Sequence, residues 1–278
     1  ALTLDEVGLE AVQTRIAIDG QKIPARARAW VSLKDTHSRG IHMSRLYKVI
    51  NRLADQELSW RHLSASLEEM LSTHSHLSDA GALSVDFDLP VLRSALVSGE
   101  AGWRTYPVSY QVKNQQGQWT HAITLKVLYS STCPCSASLA RQAFRDRFAE
   151  IFKESTLSRE SVLSWLDRPE ALVASAHAQR SEAICELVFS KPTGEASPLP
   201  YLDLIESTLG TAVQSAVKRS DEQEFARLNA QNLMFCEDAA RKLKAALLSR
   251  PEVADFAIEV RHFESLHPHD VVAKVRKN

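Results

Sequence analysis

The run His121-Ala-Ile-Thr-Leu-Lys-Val-Leu-Tyr-Ser130, with the six residues that follow it, constrains this chain most. Apolar or aliphatic positions alternate along much of the run, which is the period of a half-buried strand. It leads into Ser131-Thr132-Cys133-Pro134-Cys135-Ser136. Pro134 fixes its own φ and biases Cys133 towards an extended conformation. Two thiols therefore leave a strand end one residue apart on a stiff turn, with their sulfurs directed differently. That suits a site where one thiolate binds a metal and the other faces a substrate. So short a motif, taken alone, more often marks two reduced, half-buried cysteines in a turn.

At 278 residues the chain is long enough for two modest domains or one large one. Hydrophobic residues make up 44% and charged residues 24%, ordinary values for a soluble globular protein. A net charge of -1 argues against a dedicated nucleic-acid binder and leaves room for a local basic pocket. Four cysteines do not make a disulfide framework at this size. The N-terminus lacks a basic region followed by an apolar one, and no run reaches bilayer length. The expected home is a reducing cytoplasm, with no membrane and no nucleic acid as partner.

Along the chain, a short extended segment over Glu10–Ile18 precedes a strand over Lys22–Leu33, with Arg26 and Arg28 on its wet face. Asp35–Arg45 sets Arg39, His42 and Arg45 around a glycine, ahead of one long helical pattern over Ser44–Ser72 with Ser44 as its N-cap. Arginines near a helix N-terminus form a natural anion site. Strands are predicted over Ser84–Pro90, Tyr106–Val112 and Trp119–Tyr129, the last two joined by a hairpin through Asn114–Gly117. A helical, polar stretch over 137–174 reads as an inserted pair. The second half repeats the order: a strand over Ser181–Ser190, helices over Tyr201–Val217 and within Phe225–Leu248, then strands over Phe256–Glu264 and Asp270–Val275. No repeat is visible residue by residue.

Five segments together resemble the type IB GTP cyclohydrolase I enzymes. They are Ile23-Pro-Ala-Arg through Val31-Ser-Leu, Arg39-Gly-Ile-His-Met-Ser-Arg45, Cys133-Pro-Cys-Ser136, Ala176-His-Ala-Gln-Arg-Ser181 and Glu264-Ser-Leu-His-Pro-His-Asp270. They occur in the family's order over most of the chain. The resemblance implies an α+β chain of tandem tunnelling-fold modules, antiparallel sheets backed by helices, assembling into barrels in a homotetramer. The expected division is 1–136 and 175–278 as modules, with 137–174 between them as a helical insertion. It also implies conversion of GTP and water to 7,8-dihydroneopterin triphosphate and formate, opening folate and pterin synthesis and, in many bacteria, queuosine synthesis. The implied cofactor is a divalent metal: Zn2+, Mn2+ or Fe2+.

Carried over by motif, Cys133, His177 and Glu222 match the metal-binding residues. Cys135 matches the second cysteine, which faces the purine. Glu237 resembles the glutamate that anchors the guanine edge, and His267 the catalytic histidine, with His269 as its neighbour and alternative. Arg39, His42, Arg45 and Arg180 are the candidates for the triphosphate, since guanidinium forks match phosphate geometry. A Cys, His and Glu set leaves a position open for water, and a metal there makes water reactive at neutral pH. A carboxylate such as Glu237 can accept from guanine N1–H and the exocyclic amine together, a pairing adenine cannot supply.

Each residue also has a plainer reading. His177 can be a strand-end histidine, Glu222 part of a solvated charged face, and Glu237 a helix partner of Arg241. His121, His262 and the His74/His76 pair read as structural or exposed, and Cys185 and Cys236 as packing residues. The chain departs from the family pattern at Ala137, where lysine is usual, at Ala178, where asparagine is common, and in the long segment before Ala176. The ligands must still converge, so 137–174 is expected to loop out. Two other readings compete: an enzyme of the same fold acting on another pterin or deazapurine, and a metal-binding relative without turnover.

Overall fold

The computed structural model describes residues 2–190, 192 and 197–278. Among the described residues, eight strands form one antiparallel sheet in chain order: β1 (Leu4–Ile18), β2 (Gln21–Leu33), β3 (Ala80–Ser94), β4 (Ala101–Gln115), β5 (Gln118–Thr132), β6 (Ala178–Phe189), β7 (Val253–His262) and β8 (Val271–Arg276). Between β2 and β3 lie α1 (Met43–Asn51) and α2 (Trp60–Ser72). Helices α3 (Pro134–Ile151) and α4 (Arg159–Leu166) lie between β5 and β6, and α5 (Leu199–Leu209), α6 (Arg219–Gln231) and α7 (Cys236–Leu248) between β6 and β7. The order strand, strand, helices, strand, strand thus occurs over β1–β4 and again over β5–β8, where α3 and α4 additionally separate the first two strands. It turns over at the β4–β5 hairpin, whose Gln116 and Gly117 both have positive φ.

The alternation read in the sequence decides which face meets the helices. On β2, Ile23, Ala25, Ala27, Ala29 and Val31 are buried, and on β5 Ile123, Leu125, Val127 and Tyr129 are. They pack under Leu46, Ile50, Leu63 and Leu67 in one half and Leu202, Ile205, Leu243 and Leu247 in the other, in one continuous core. The opposite face is polar. One cross-strand row of it runs Gln13, Arg26, Asp86, Ser109, Thr124, Glu186, Ala257, Arg276 through all eight strands. A groove of about 970 Å3 on this face is lined by Arg15, Arg26, Asp86, Asp88 and Lys126 among others, and by none of the expected site residues.

Several expected boundaries move. The pattern over Ser44–Ser72 is two helices. A 3-10 turn (Arg52–Asp55) and an extended Gln56 interrupt it, because the backbone of Leu58 turns aside to donate to the Ala17 carbonyl at 2.7 Å. Ser44 is not the cap: the helix begins at Met43 after His42, whose side chain makes no capping bond, whereas Ser59 caps α2 by accepting from His62 N–H at 3.1 Å. The helix expected to reach Val217 stops at Leu209, where Gly210 adopts a left-handed φ of 76° that a side chain would strain. Phe225–Leu248 holds the end of α6 and then α7, which starts at Cys236. β1 is far longer than the segment expected from Glu10.

Candidate active site

The C-P-C motif sits where β5 becomes α3. Cys133 is extended, with φ -67° and ψ 122°, and occupies the N-cap, while Pro134 fills the first helical position, where its missing N–H costs nothing. The strand stops because proline cannot donate to the ladder, and the helix starts because that φ suits it. The two thiols differ in exposure: Cys133 is half-buried and Cys135 exposed. The positive end of α3 faces the same position and favours an anionic group.

The segment between β5 and β6 packs mainly on itself. Phe144, Phe148 and Phe152 gather around Trp165 with ring centroids 5.4, 5.6 and 5.7 Å away, so α3 and α4 fasten to one another. Among the described residues, none of α3 is buried. The chain then returns to pair Thr132 with Ala178, and His177 comes back beside Cys133. Cys133 N–H donates to the His177 carbonyl at 3.3 Å, and His177 N–H donates to Ser136 Oγ at 3.0 Å.

A polar network that sequence reasoning missed lies beneath His177. Its Nδ1 is 3.1 Å from Gln179 Oε1 and 3.9 Å from Glu264 Oε2. Gln179 Nε2 donates to Ser131 Oγ at 3.0 Å and to Glu264 Oε1 at 3.4 Å. Ser131 Oγ also lies 2.8 Å from Ser181 Oγ and 3.2 Å from His262 Nδ1, and His262 Nε2 lies 2.8 Å from the Tyr129 hydroxyl. Burial pushes the His262 imidazole down to about 4, against a smaller opposing pull from the Glu237 charge. The signal was available in part: His177, just before β6, and Gln179 near its start are two residues apart, the spacing that puts side chains on one face of an extended chain. Glu264 stood in a quoted motif without a role.

The other residues divide by position. Glu237 is exposed in the first turn of α7, next to Cys236, whose thiol donates to the Val260 carbonyl at 3.3 Å. His267 and His269 stack with centroids 5.0 Å apart in the exposed loop after β7. Arg180 is exposed near the start of β6, opposite Ser130. All four lie at the Cys133 end of the sheet. Glu222 is exposed in the first turn of α6, and no group of three or more His, Cys, Asp or Glu gathers for a metal among the described residues. Its neighbour Asp221 is buried instead, accepting from Val97, Ser98 and Lys218 N–H at 2.8–2.9 Å. The Ser98 side chain first, and then these backbone N–H groups, hold its carboxyl far below the usual range.

Arg39, His42 and Arg45 lie at the opposite end. His42 N–H donates to the buried His74 Nε2 at 3.3 Å, and Arg45 donates to the Thr73 carbonyl. That turn leads to Asp79, whose carbonyl accepts from Gln116 at the foot of β5. β5 then climbs fifteen residues, on the order of 45 Å, before Cys133.

A family profile described as "Type I GTP cyclohydrolase folE2" matches residues 1–273. GTP cyclohydrolase FolE2 of Pseudoalteromonas translucida (strain TAC 125) is 42% identical over 277 residues, covering 98% of this chain and 91% of that protein. Among solved structures, the uricase of Arthrobacter globiformis aligns with a TM-score of 0.53 at 6% identity, covering 99% of this chain and 94% of that one. A highly active mutant of Bacillus sp. TB-90 urate oxidase aligns at 0.56 and 9%, covering 99% of both. At such identities the two structures speak to the fold alone, which is the tunnelling fold.

Proposed function

Because the chain belongs to the type I GTP cyclohydrolase FolE2 family, and so converts GTP to 7,8-dihydroneopterin triphosphate and formate, we propose that this reaction runs at the Cys133 end of the sheet. The observation that carries the proposal is the backbone bond from Cys133 to His177, which brings the two residues that bear the thiol and the imidazole together at the start of α3. Enzymes of this family are in general metal-dependent. The donors fit such an ion in two respects: Cys133 is half-buried, and His177 has its Nδ1 engaged, leaving Nε2 for coordination. Thiolate and imidazole together suit Zn2+ or Fe2+, and the resident ion is set by availability as well. Glu222 is the proposed third ligand, although among the described residues it does not gather with Cys133 and His177.

A divalent cation held by these residues supplies Lewis acidity that activates water at neutral pH. The chain's own residues do the rest. Glu237 accepts the guanine N1–H and exocyclic amine and so fixes the purine. Cys135, more exposed than Cys133, faces the ring that opens. His267 or His269 moves protons at the ring nitrogens and ribose oxygens, work that suits a histidine. Arg180 binds phosphate at the same end.

Arg39, His42 and Arg45 cannot reach a nucleotide at Cys133 in their own chain, because a whole strand length separates them. As triphosphate contacts they must come from another copy, and we propose a homo-oligomer, a tetramer of barrels, whose polar sheet faces line the interior. Within each subunit we propose two tunnelling-fold modules with 137–174 as an insertion. Folate synthesis is the proposed pathway and the cytoplasm the proposed compartment; among the described residues no helix is long and apolar enough to cross a membrane.

The test is incubation of metal-loaded protein with GTP, following formate and the fluorescence of the oxidised pterin. Both products from the parent protein, and neither from Cys133→Ala or His177→Ala, are expected. Undiminished turnover by both variants would move the reaction elsewhere.

A further inference from the structure

We infer that Gln179 is a positioning residue that fixes the tautomer of His177, with Glu264 holding Gln179 the right way round. The argument starts from Glu264, whose carboxylate can only accept. The amide atom facing its Oε1 at 3.4 Å must be the Gln179 NH2, which also donates to Ser131 Oγ. The amide oxygen is then the atom that meets His177 Nδ1 at 3.1 Å, and an oxygen there requires Nδ1 to carry the hydrogen. His177 Nε2 is left bare.

The arrangement does not depend on solvent for its order. Gln179 is buried, 8% exposed, and the Glu264 side chain is 11% exposed. A buried amide that faces two acceptors on one side and a donor on the other has one satisfied orientation; its flip sets NH2 against Nδ1–H and oxygen against carboxylate. A bare Nε2 is what a metal-ligating imidazole needs, and partners that orient such a ring affect affinity without touching the ion. The inference rests on the reading of His177 as a metal ligand.

Cobalt(II) is the probe, its thiolate absorption reporting Cys133 and its titration reporting affinity, on the full-length protein without GTP. Gln179→Leu is expected to weaken Co2+ binding about 10- to 100-fold. Glu264→Gln alone removes the obligate acceptor and weakens it too. The double variant Gln179→Glu with Glu264→Gln exchanges the carboxylate and the amide, keeps an acceptor on Nδ1, and restores parental binding to within a few-fold. Should Gln179→Leu bind Co2+ as tightly as the parent, or should the exchanged pair bind as weakly as Glu264→Gln, the inference is wrong while the metal site stands. If Gln179→Leu does not fold, the comparison of Glu264→Gln with the exchanged pair decides. A parent protein whose cobalt spectrum is unchanged by Cys133→Ala and His177→Ala would remove the metal reading and this inference with it.

Discussion

The hydroxyl of Tyr129 and Nε2 of His262 lie 2.8 Å apart, one on β5 and one on β7, in the core beneath the C-P-C turn. Burial pushes the imidazole from its ordinary 6.5 down to about 4. Between these values the unfolded chain takes up a proton that the folded protein does not. Stability present at neutral pH is therefore lost as pH falls through about 6.5, by up to on the order of 3 kcal/mol, and this loss levels off near pH 4. Urea unfolding of the parent and of His262→Gln at pH 7 and pH 4.5 measures it. The parent should lose the more stability on acidification, and equal losses would show that His262 is not the group responsible.

The two thiols should separate functionally. Cys133→Ala is expected to lose both metal and turnover, whereas Cys135→Ala loses turnover and keeps most of its metal. Metal content by elemental analysis beside formate release decides, and full metal occupancy in Cys133→Ala would reverse the division of labour.

Two inactive variants should rescue each other. If Cys133 and the Arg39 loop serve one substrate from two chains, Cys133→Ala and Arg39→Ala, dissociated and reassembled together, form some intact sites. Random pairing of equal amounts restores about a quarter of them. Activity that stays at the level of the unmixed variants would place Arg39 outside the site.

Glu237→Gln should blunt the choice of base. The carboxylate matches two donors on guanine, while hypoxanthine offers only N1–H, so the parent should favour GTP over ITP in kcat/KM. The variant should lose that preference along with at least 10-fold in GTP turnover. A variant that keeps the parental ratio would show that the guanine edge is read by another group.

Much of this was legible in the sequence for local reasons. Strand alternation is imposed by burial on one face, so β2 and β5 were readable, and Pro134 announced the end of β5 in its own ring. His177 needed the family resemblance, since the long segment between them hides its nearness to Cys133. The break within Ser44–Ser72 was not readable, because the apolar spacing continues across it; only the Ala17 carbonyl, on a distant strand, draws Leu58 out of helical conformation. The Ser131, Gln179, Glu264 and His262 network was hidden likewise. Its members are set together by the register of β5, β6 and β7, a long-range quantity that no window of sequence contains.

Every strand pairs with its neighbour in the chain, and most of those pairings close over short turns or a pair of helices. The β5–β6 pairing also closes over a pair of helices, but its loop of about 45 residues contributes little to the core. The entropic penalty of such closure grows only with the logarithm of length, so cutting the loop to a dozen residues would change it by about 1 kcal/mol. The arm formed by α3 and α4 is thermodynamically close to free to grow or shrink. The backbone bond between Cys133 and His177 acts as a clasp at its root, so the chemistry beside it is insulated from the length of what hangs outside.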